Sequence, residues 1–196
     1  SRFEDTIPMK ILFAVVLCLA PLQDANYFPL KKGSKWVYKN STGKDGTYEC
    51  AGPKTLWGEE HQIVNYLVEG ALEVQTSYRV TRDGVRETGL NLAVVGEWEQ
   101  RSTAELAMKF GTRKGDTWSY DEQQWKSTYT NEGEEEIEVP AGKYKAVKIC
   151  KKDTGAMVLH EEVRSWYASG VGLVKREYVE KGKVSTTALK SYTEGK

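Results

Sequence analysis

The sequence predicts an all-β fold, either an antiparallel barrel-like sheet or two curved sheets, built from two similar halves. Three observations carry this. Apolar side chains recur with a period of two, the signature of half-buried strands. Turn dipeptides punctuate those runs. An eleven-residue frame occurs twice, 82 positions apart. No amphipathic helical stretch of about 10–12 residues competes with the strand reading.

The chain has 196 residues, enough for one domain with a real core. Lys and Arg total 28, matching 28 Asp and Glu, so the net charge is zero. That balance lacks the basic footprint of a duplex-binding protein, and no nucleic-acid partner is expected. Mean hydropathy is −0.58, which excludes an integral helical membrane protein.

The first element is an apolar run, Ile11–Leu22, uncharged and preceded by Met9 and Lys10. A bilayer span needs about 20 apolar residues, so this run is too short to cross one. A basic start followed by such a stretch fits a secretory signal peptide. The expected cut follows Ala25, with Ala20 as the alternative. Residues 1–25 are thus read as upstream residues plus signal peptide, and 26–196 as a single β domain. Cys18 lies inside the apolar run after Leu17, a poor context for lipid attachment. The location implied is periplasmic or secreted.

The first copy of the frame runs from Phe28 to Tyr38 and includes Lys32-Gly33, Trp36 and Tyr38. The second runs from Phe110 to Tyr120 and includes Lys114-Gly115, Trp118 and Tyr120. The shared pattern is F-x-x-[KR]-K-G-x-x-W-x-Y. Lys-Gly makes a turn in which Gly takes a backbone conformation other residues resist. Trp and Tyr two positions apart then face one side of the next strand. The repeat units are about 27–107 and 108–192. Trp36, Tyr38, Trp118 and Tyr120 are core anchors or, alternatively, the walls of a ligand site.

Further strands follow in order. Val64, Tyr66 and Val68 share a face before Glu69-Gly70. Leu72, Val74, Thr76, Tyr78 and Val80 alternate with polar residues up to Asp83-Gly84, a hairpin signal. Ala104, Leu106, Met108 and Phe110 also alternate, with a short helix over 103–109 as the competing reading. Ile137 and Val139 alternate with Glu136 and Glu138, so the acidic run 132–138 reads as a solvated strand face, not a calcium loop. Val184, Thr186, Ala188 and Tyr192 close the chain. The total is about a dozen strands.

Cys50 and Cys150 remain after cleavage. In an oxidising compartment they could form one disulfide, for which loop entropy sets a ceiling of roughly 4.7 kcal/mol. The equal alternative is two separate buried thiols. His61 and His160 each follow a cysteine, but without the close ligand pairs of a zinc site. No metal or cofactor is expected. No nucleophile elbow, phosphate loop or His-paired nucleophile is present, so the chain is not read as an enzyme.

Two segments carry a family resemblance. Val139-Pro-Ala-Gly-Lys-Tyr-Lys-Ala-Val-Lys148 fits V-P-A-G-[TK]-[FY]-x-A-x-[KR]. Trp166-Tyr-Ala-Ser-Gly-Val-Gly-Leu-Val-Lys175 fits W-Y-x-x-G-[VI]-G-x-[VL]-[KR]. Together with Tyr27-Phe-Pro-Leu and Gly33-x-x-Trp36, they resemble the TapB-like group of exported bacterial proteins, across most of 27–192. The resemblance implies export and a β-barrel-like domain, and no activity. The expected function is a non-catalytic envelope module holding a small apolar or amphipathic ligand. The alternative is a structural or protein-interaction module, with Trp57, Trp98 and Trp125 near turns as its contact residues.

Overall fold

The computed structural model describes residues 26–122, 125–155, 158 and 160–196. The apolar run, Cys18 and both cleavage positions lie outside the described residues. Twelve strands form one antiparallel sheet. In chain order they are β1 (Lys35–Asn40), β2 (Asp45–Leu56), β3 (Glu59–Val68), β4 (Ala71–Thr81), β5 (Gly84–Leu92), β6 (Trp98–Lys109), β7 (Thr117–Glu122), β8 (Trp125–Val139), β9 (Gly142–Gly155), β10 (Glu162–Ala168), β11 (Gly172–Glu180) and β12 (Lys183–Thr193). Residues 103–109, where a helix was the rival reading, belong to β6.

The sheet order is β6-β5-β4-β3-β2-β1-β12-β11-β10-β9-β8-β7. Every strand pairs with its chain neighbour except at one place, between β6 and β7. The first and last strands pair directly, with Lys35 opposite Thr193 and Trp36 opposite Tyr192. The barrel-like sheet is therefore open along one seam, and that seam falls in the middle of the chain. The fold is neither a fully hydrogen-bonded barrel nor two separate sheets.

The two copies of the frame make similar local hydrogen bonds, although β1 lies inside the sheet and β7 at its edge. Residues 35–40 form β1 and residues 117–122 form β7. Gly33 N–H donates to the Cys50 carbonyl at 2.8 Å, and Gly115 N–H donates to the Asn131 carbonyl at 2.7 Å. Gly33 and Gly115 have φ of 83° and 94°, which glycine adopts without strain. Cys50 Sγ donates to the Leu30 carbonyl at 3.3 Å, and Asn131 Nδ2 donates to the Thr112 carbonyl at 3.3 Å. Each long second strand then carries a bulge, between Cys50 and Gly52 in β2 and between Asn131 and Gly133 in β8.

Seam and pairing differ between the halves. Trp36 stacks on Tyr192 across the β1–β12 pair, 5.5 Å between ring centroids. Trp118 instead stacks on Tyr129 of its own hairpin, at 5.1 Å and 2°. Its Nε1 reaches over the open seam to the Leu106 carbonyl at 3.1 Å. Tyr129 Oη donates to Glu105, and Lys151 Nζ lies 3.2 Å from the same carboxylate. Side chains thus hold β6 against the β7–β9 side where backbone pairing fails. β6 is irregular beside the seam: Glu87 faces Glu105, but Gly89 faces Gln100. Such bulges blunt an edge strand against unwanted pairing.

Two apolar clusters support the curl. One gathers Trp36, Tyr38, Cys50, Val139, Ala146, Trp166, Ala168, Val174 and Leu189. The tip of the β8–β9 hairpin contributes to it by folding back toward β12, where Ala141 N–H donates to the Leu189 carbonyl at 2.9 Å. The other gathers Val85, Met108, Trp118, Tyr129, Val147, Ile149 and Tyr167. Close packing at Gly84 is severe: a Cβ there would lie 2.0 Å from the Met108 carbonyl oxygen.

The disulfide does not form. Cys50 and Cys150 are both free and buried. β2 and β9 are separated in the sheet by β1, β12, β11 and β10, and neighbouring strands lie about 4.8 Å apart. A disulfide requires Cα atoms within about 7 Å. Two separate thiols buried on strands are what the fold contains. Burial raises both thiol pKa values, that of Cys150 to about 11, so neither is a ready nucleophile.

Candidate functional site

The inner face of the curled sheet carries tyrosines from both halves. Tyr38 comes from β1, Tyr48 from β2, Tyr78 from β4, Tyr129 from β8, Tyr167 from β10 and Tyr178 from β11. Strand alternation explains the placement, because residues two apart share a face. The segment before β1 crosses one end of this interior. Phe28 packs on Tyr78 at 5.2 Å and on Tyr167 at 6.3 Å, and Asn26 accepts from Gly170 N–H at 2.9 Å.

Three hollows that share wall residues remain inside. An apolar one of about 100 Å³ lies under the Phe28 segment, against Trp36, Tyr78 and Leu173. A larger one of about 540 Å³ opens near the seam, bounded by Glu105, Tyr129, Lys151, His160 and Tyr178 among others. A third of about 340 Å³ lies toward the β1–β2 turn, between Tyr48, Tyr66 and Tyr178. Sizes of about 300–1,000 Å³ suit small molecules. Arg176 on β11 borders all three.

Arg176 is the unusual group. Its Nε donates to Ser165 Oγ at 3.0 Å and a terminal nitrogen to Tyr167 Oη at 3.4 Å. Among the described residues no carboxylate lies within 4.0 Å of it. Its neighbours on the opposite face behave otherwise. Lys175, Glu177, Arg164, Glu162 and Lys152 form a ladder of ion pairs across β9, β10 and β11. The other cations at the large hollow are also neutralised, Arg101 by Glu87 and Lys151 by Glu105 and Asp153. A guanidinium stays charged at any ordinary pH, and a desolvated charge costs several kcal/mol unless compensated.

The phenols around it do not supply that compensation as anions. Burial raises the pKa of Tyr38, Tyr78 and Tyr129 well above the ordinary phenol value, and that of Tyr48 to about 12. They remain neutral O–H groups. Tyr38 Oη donates to the Leu173 carbonyl at 2.7 Å. Nearby, His160 lies 4.8 Å from the Tyr178 ring, and its buried Nδ1 has no hydrogen-bond partner. The interior therefore offers Arg176, a cation with no carboxylate partner among the described residues, together with phenols, apolar walls beneath Phe28 and ion-paired groups lining the larger hollow.

The four residues singled out from the sequence separate. Trp36 and Tyr38 do border the apolar hollow. Trp118 and Tyr120 are buried at the seam strand instead, Trp118 on Tyr129 and Tyr120 beside Trp125 at 6.4 Å. Arg176, Tyr48, Tyr78, Tyr167 and Tyr178 were not foreseen. One signal existed: Arg176 and Tyr178 share strand parity, while Lys175 and Glu177 share the other. The second buried polar cluster, His61 Nδ1 with Thr88 Oγ1 at 2.8 Å and Ser77 Oγ with Thr88 Oγ1 at 2.9 Å, borders none of these hollows. Among the described residues no group of three His, Cys, Asp or Glu could hold a metal ion. No helix of the described residues is long and apolar enough to cross a membrane.

A DUF3108-like family profile matches residues 128–193. That span contains both the Val139–Lys148 and Trp166–Lys175 motifs. No curated protein matches the chain. Among solved structures, an exported protein, so described by inference, with a YmcC-like fold from Bacteroides fragilis is 14% identical with TM-score 0.51. The match covers 85% of this chain and 98% of that one. An inferred lipoprotein from Parabacteroides distasonis is 18% identical with TM-score 0.44, covering 85% and 98%. The hypothetical lipoprotein YmcC from Escherichia coli is 8% identical with TM-score 0.34, covering 86% and 89%. The Bacteroides fragilis likeness shows a shared fold; at that identity fold is all it shows.

Proposed function

We propose that this chain is an exported, non-catalytic binding module that holds a small amphipathic molecule inside its open barrel. The observation that carries the reading is the interior itself: hollows walled by tyrosines, one of them apolar beneath Phe28 and the larger one lined also by ion-paired polar groups, with Arg176 common to all three. Export is supported by the apolar run after Lys10 and by the descriptions of the structural neighbours. The two long motifs, inside the DUF3108-like span, support the finer TapB-like grouping. The neutral dye N-phenyl-1-naphthylamine tests the reading. Its fluorescence is expected to rise on the folded protein and to fall back when Val163→Trp fills the larger hollow. No enhancement on the wild-type protein would sink it.

The second reading is a protein-contact module. It is favoured by exposed apolar side chains at the β5–β6 turn, Val94 at 92% and Val95 at 62% exposure, and by Trp57 at 39%. Trp98 and Trp125 are half-buried. Concentration-independent monomeric behaviour of Val94→Ser and wild type alike, with dye binding intact, would favour the first reading.

A further inference from the structure

Resting on the binding reading, we infer that the ligand is anionic: Arg176 receives a carboxylate or phosphate monoester head group while an apolar chain fills the tyrosine-walled interior. The argument is one of charge accounting. Every other cation bordering the large hollow has a carboxylate partner, Arg101 on Glu87 and Lys151 on Glu105 and Asp153. Arg176 has a serine hydroxyl and the phenols of Tyr167 and Tyr178 for partners, and no carboxylate among the described residues. Its own strand shows that carboxylates were within reach of β11, since Glu177 pairs Lys175 and Arg164 on the other face. A half-buried guanidinium with no carboxylate partner is costly to hold, and an acceptor with two oxygens fits its fork of donors.

Position supports the same assignment. Arg176 lines all three hollows, so a head group there leaves the apolar space beneath Phe28 for a chain. The Tyr167 hydroxyl, which accepts from the guanidinium at 3.4 Å, can donate its own O–H to the same head group. His160 Nδ1, buried without a partner in the wall of the same hollow, is another polar group awaiting one. A cationic head would meet Arg176 unfavourably, and a neutral head would leave it uncompensated.

The test is a head-group series with a common tail, followed by NMR shift titration of the full folded chain at pH 7.4. The probes are octanoate, octyl phosphate, 1-octanol, octylammonium and acetate. Octanoate or octyl phosphate should bind at least about tenfold more tightly than 1-octanol, octylammonium or acetate, because only an anion makes a charge-assisted contact with the guanidinium. The tighter of the two anions identifies the head. Arg176→Gln should remove the anion preference and leave 1-octanol affinity within about twofold. Equal binding of octanoate and 1-octanol by the wild type overturns the inference while leaving the binding reading intact. That comparison needs no variant. Binding of no octyl probe and no neutral dye overturns both. Retention of the preference in Arg176→Gln overturns the role of that residue.

Discussion

Gly52 and Gly133 occupy corresponding bulges in β2 and β8, each pressed against the stem of a lysine. Their φ angles are 95° and 97°. A Cβ on Gly52 would meet Lys32 at 3.0 Å, and one on Gly133 would meet Lys114 at 3.0 Å. Both lysines belong to the repeated frame. Gly52→Ala and Gly133→Ala should each lower stability by about 1–3 kcal/mol, the cost of a non-glycine residue in this region of backbone space. The bulges lie far apart in the sheet, so the double variant should show the sum. Urea denaturation checks it; a loss at one site only would mean the bulges are not equivalent.

Trp118 is one of the ties across the open seam, beside Tyr129 and Lys151 on Glu105. Trp118→Phe keeps the stack on Tyr129 but removes the bond to the Leu106 carbonyl. A lost hydrogen bond of about 1 kcal/mol should speed amide exchange in β6 roughly fivefold. Trp36→Phe loses the 2.6 Å bond to the Val171 carbonyl, yet β1 keeps ladder partners on both sides. Its exchange should change less. Hydrogen-exchange mass spectrometry over 98–109 and 35–40 distinguishes the two, and equal responses would show that the tryptophan does not hold the seam.

His61 makes stability depend on pH. It is 2% exposed, and burial, with Arg79 nearby, holds its pKa below the ordinary value of 6.5. The folded state therefore favours the neutral ring, and the unfolded chain binds the extra proton first. Stability should fall as pH drops through about 6.5 and keep falling until the folded-state pKa is passed. His61→Asn should flatten that slope between pH 7 and pH 5. Denaturant midpoints measured across this range, unchanged for the wild type, would contradict it.

Cys50 and Cys150 should be silent in the folded state. Both are buried free thiols with raised pKa. Ellman's reagent should titrate neither at pH 8 in native buffer and both in denaturant. Reducing agent should leave the melting temperature unchanged. A reagent-insensitive chain that melts lower on reduction would instead reveal a Cys50–Cys150 bond.

Much of this architecture is legible in the residues. The W-x-Y spacing and the Lys-Gly turns place β1 and β7, and Asp83-Gly84 marks the β4–β5 hairpin, because these signals are local. The seam is not legible. β6 carries the same alternation as its neighbours, and nothing in that alternation marks the three extra residues that it holds opposite β5 between Gln100 and Glu105. The interior was hidden for a similar reason. Lys175-Arg176-Glu177 reads as a solvated run, and only the neighbours of each side chain show that the middle one turns inward. The Cys50–Cys150 pairing stayed open in sequence because strand order, not spacing, decides it.

Because the outermost strands of the chain are zipped together, backbone ends and sheet ends are different places. Residue 195 lies beside residue 34, where Gly195 N–H donates to Ser34 Oγ at 3.0 Å. A short linker from Lys196 to Asn26, with new ends cut between Phe110 and Asp116, would rewire the connectivity into a single uninterrupted meander. Its first strand would be β7 and its last β6, and no ladder in the sheet would need to be broken to make it.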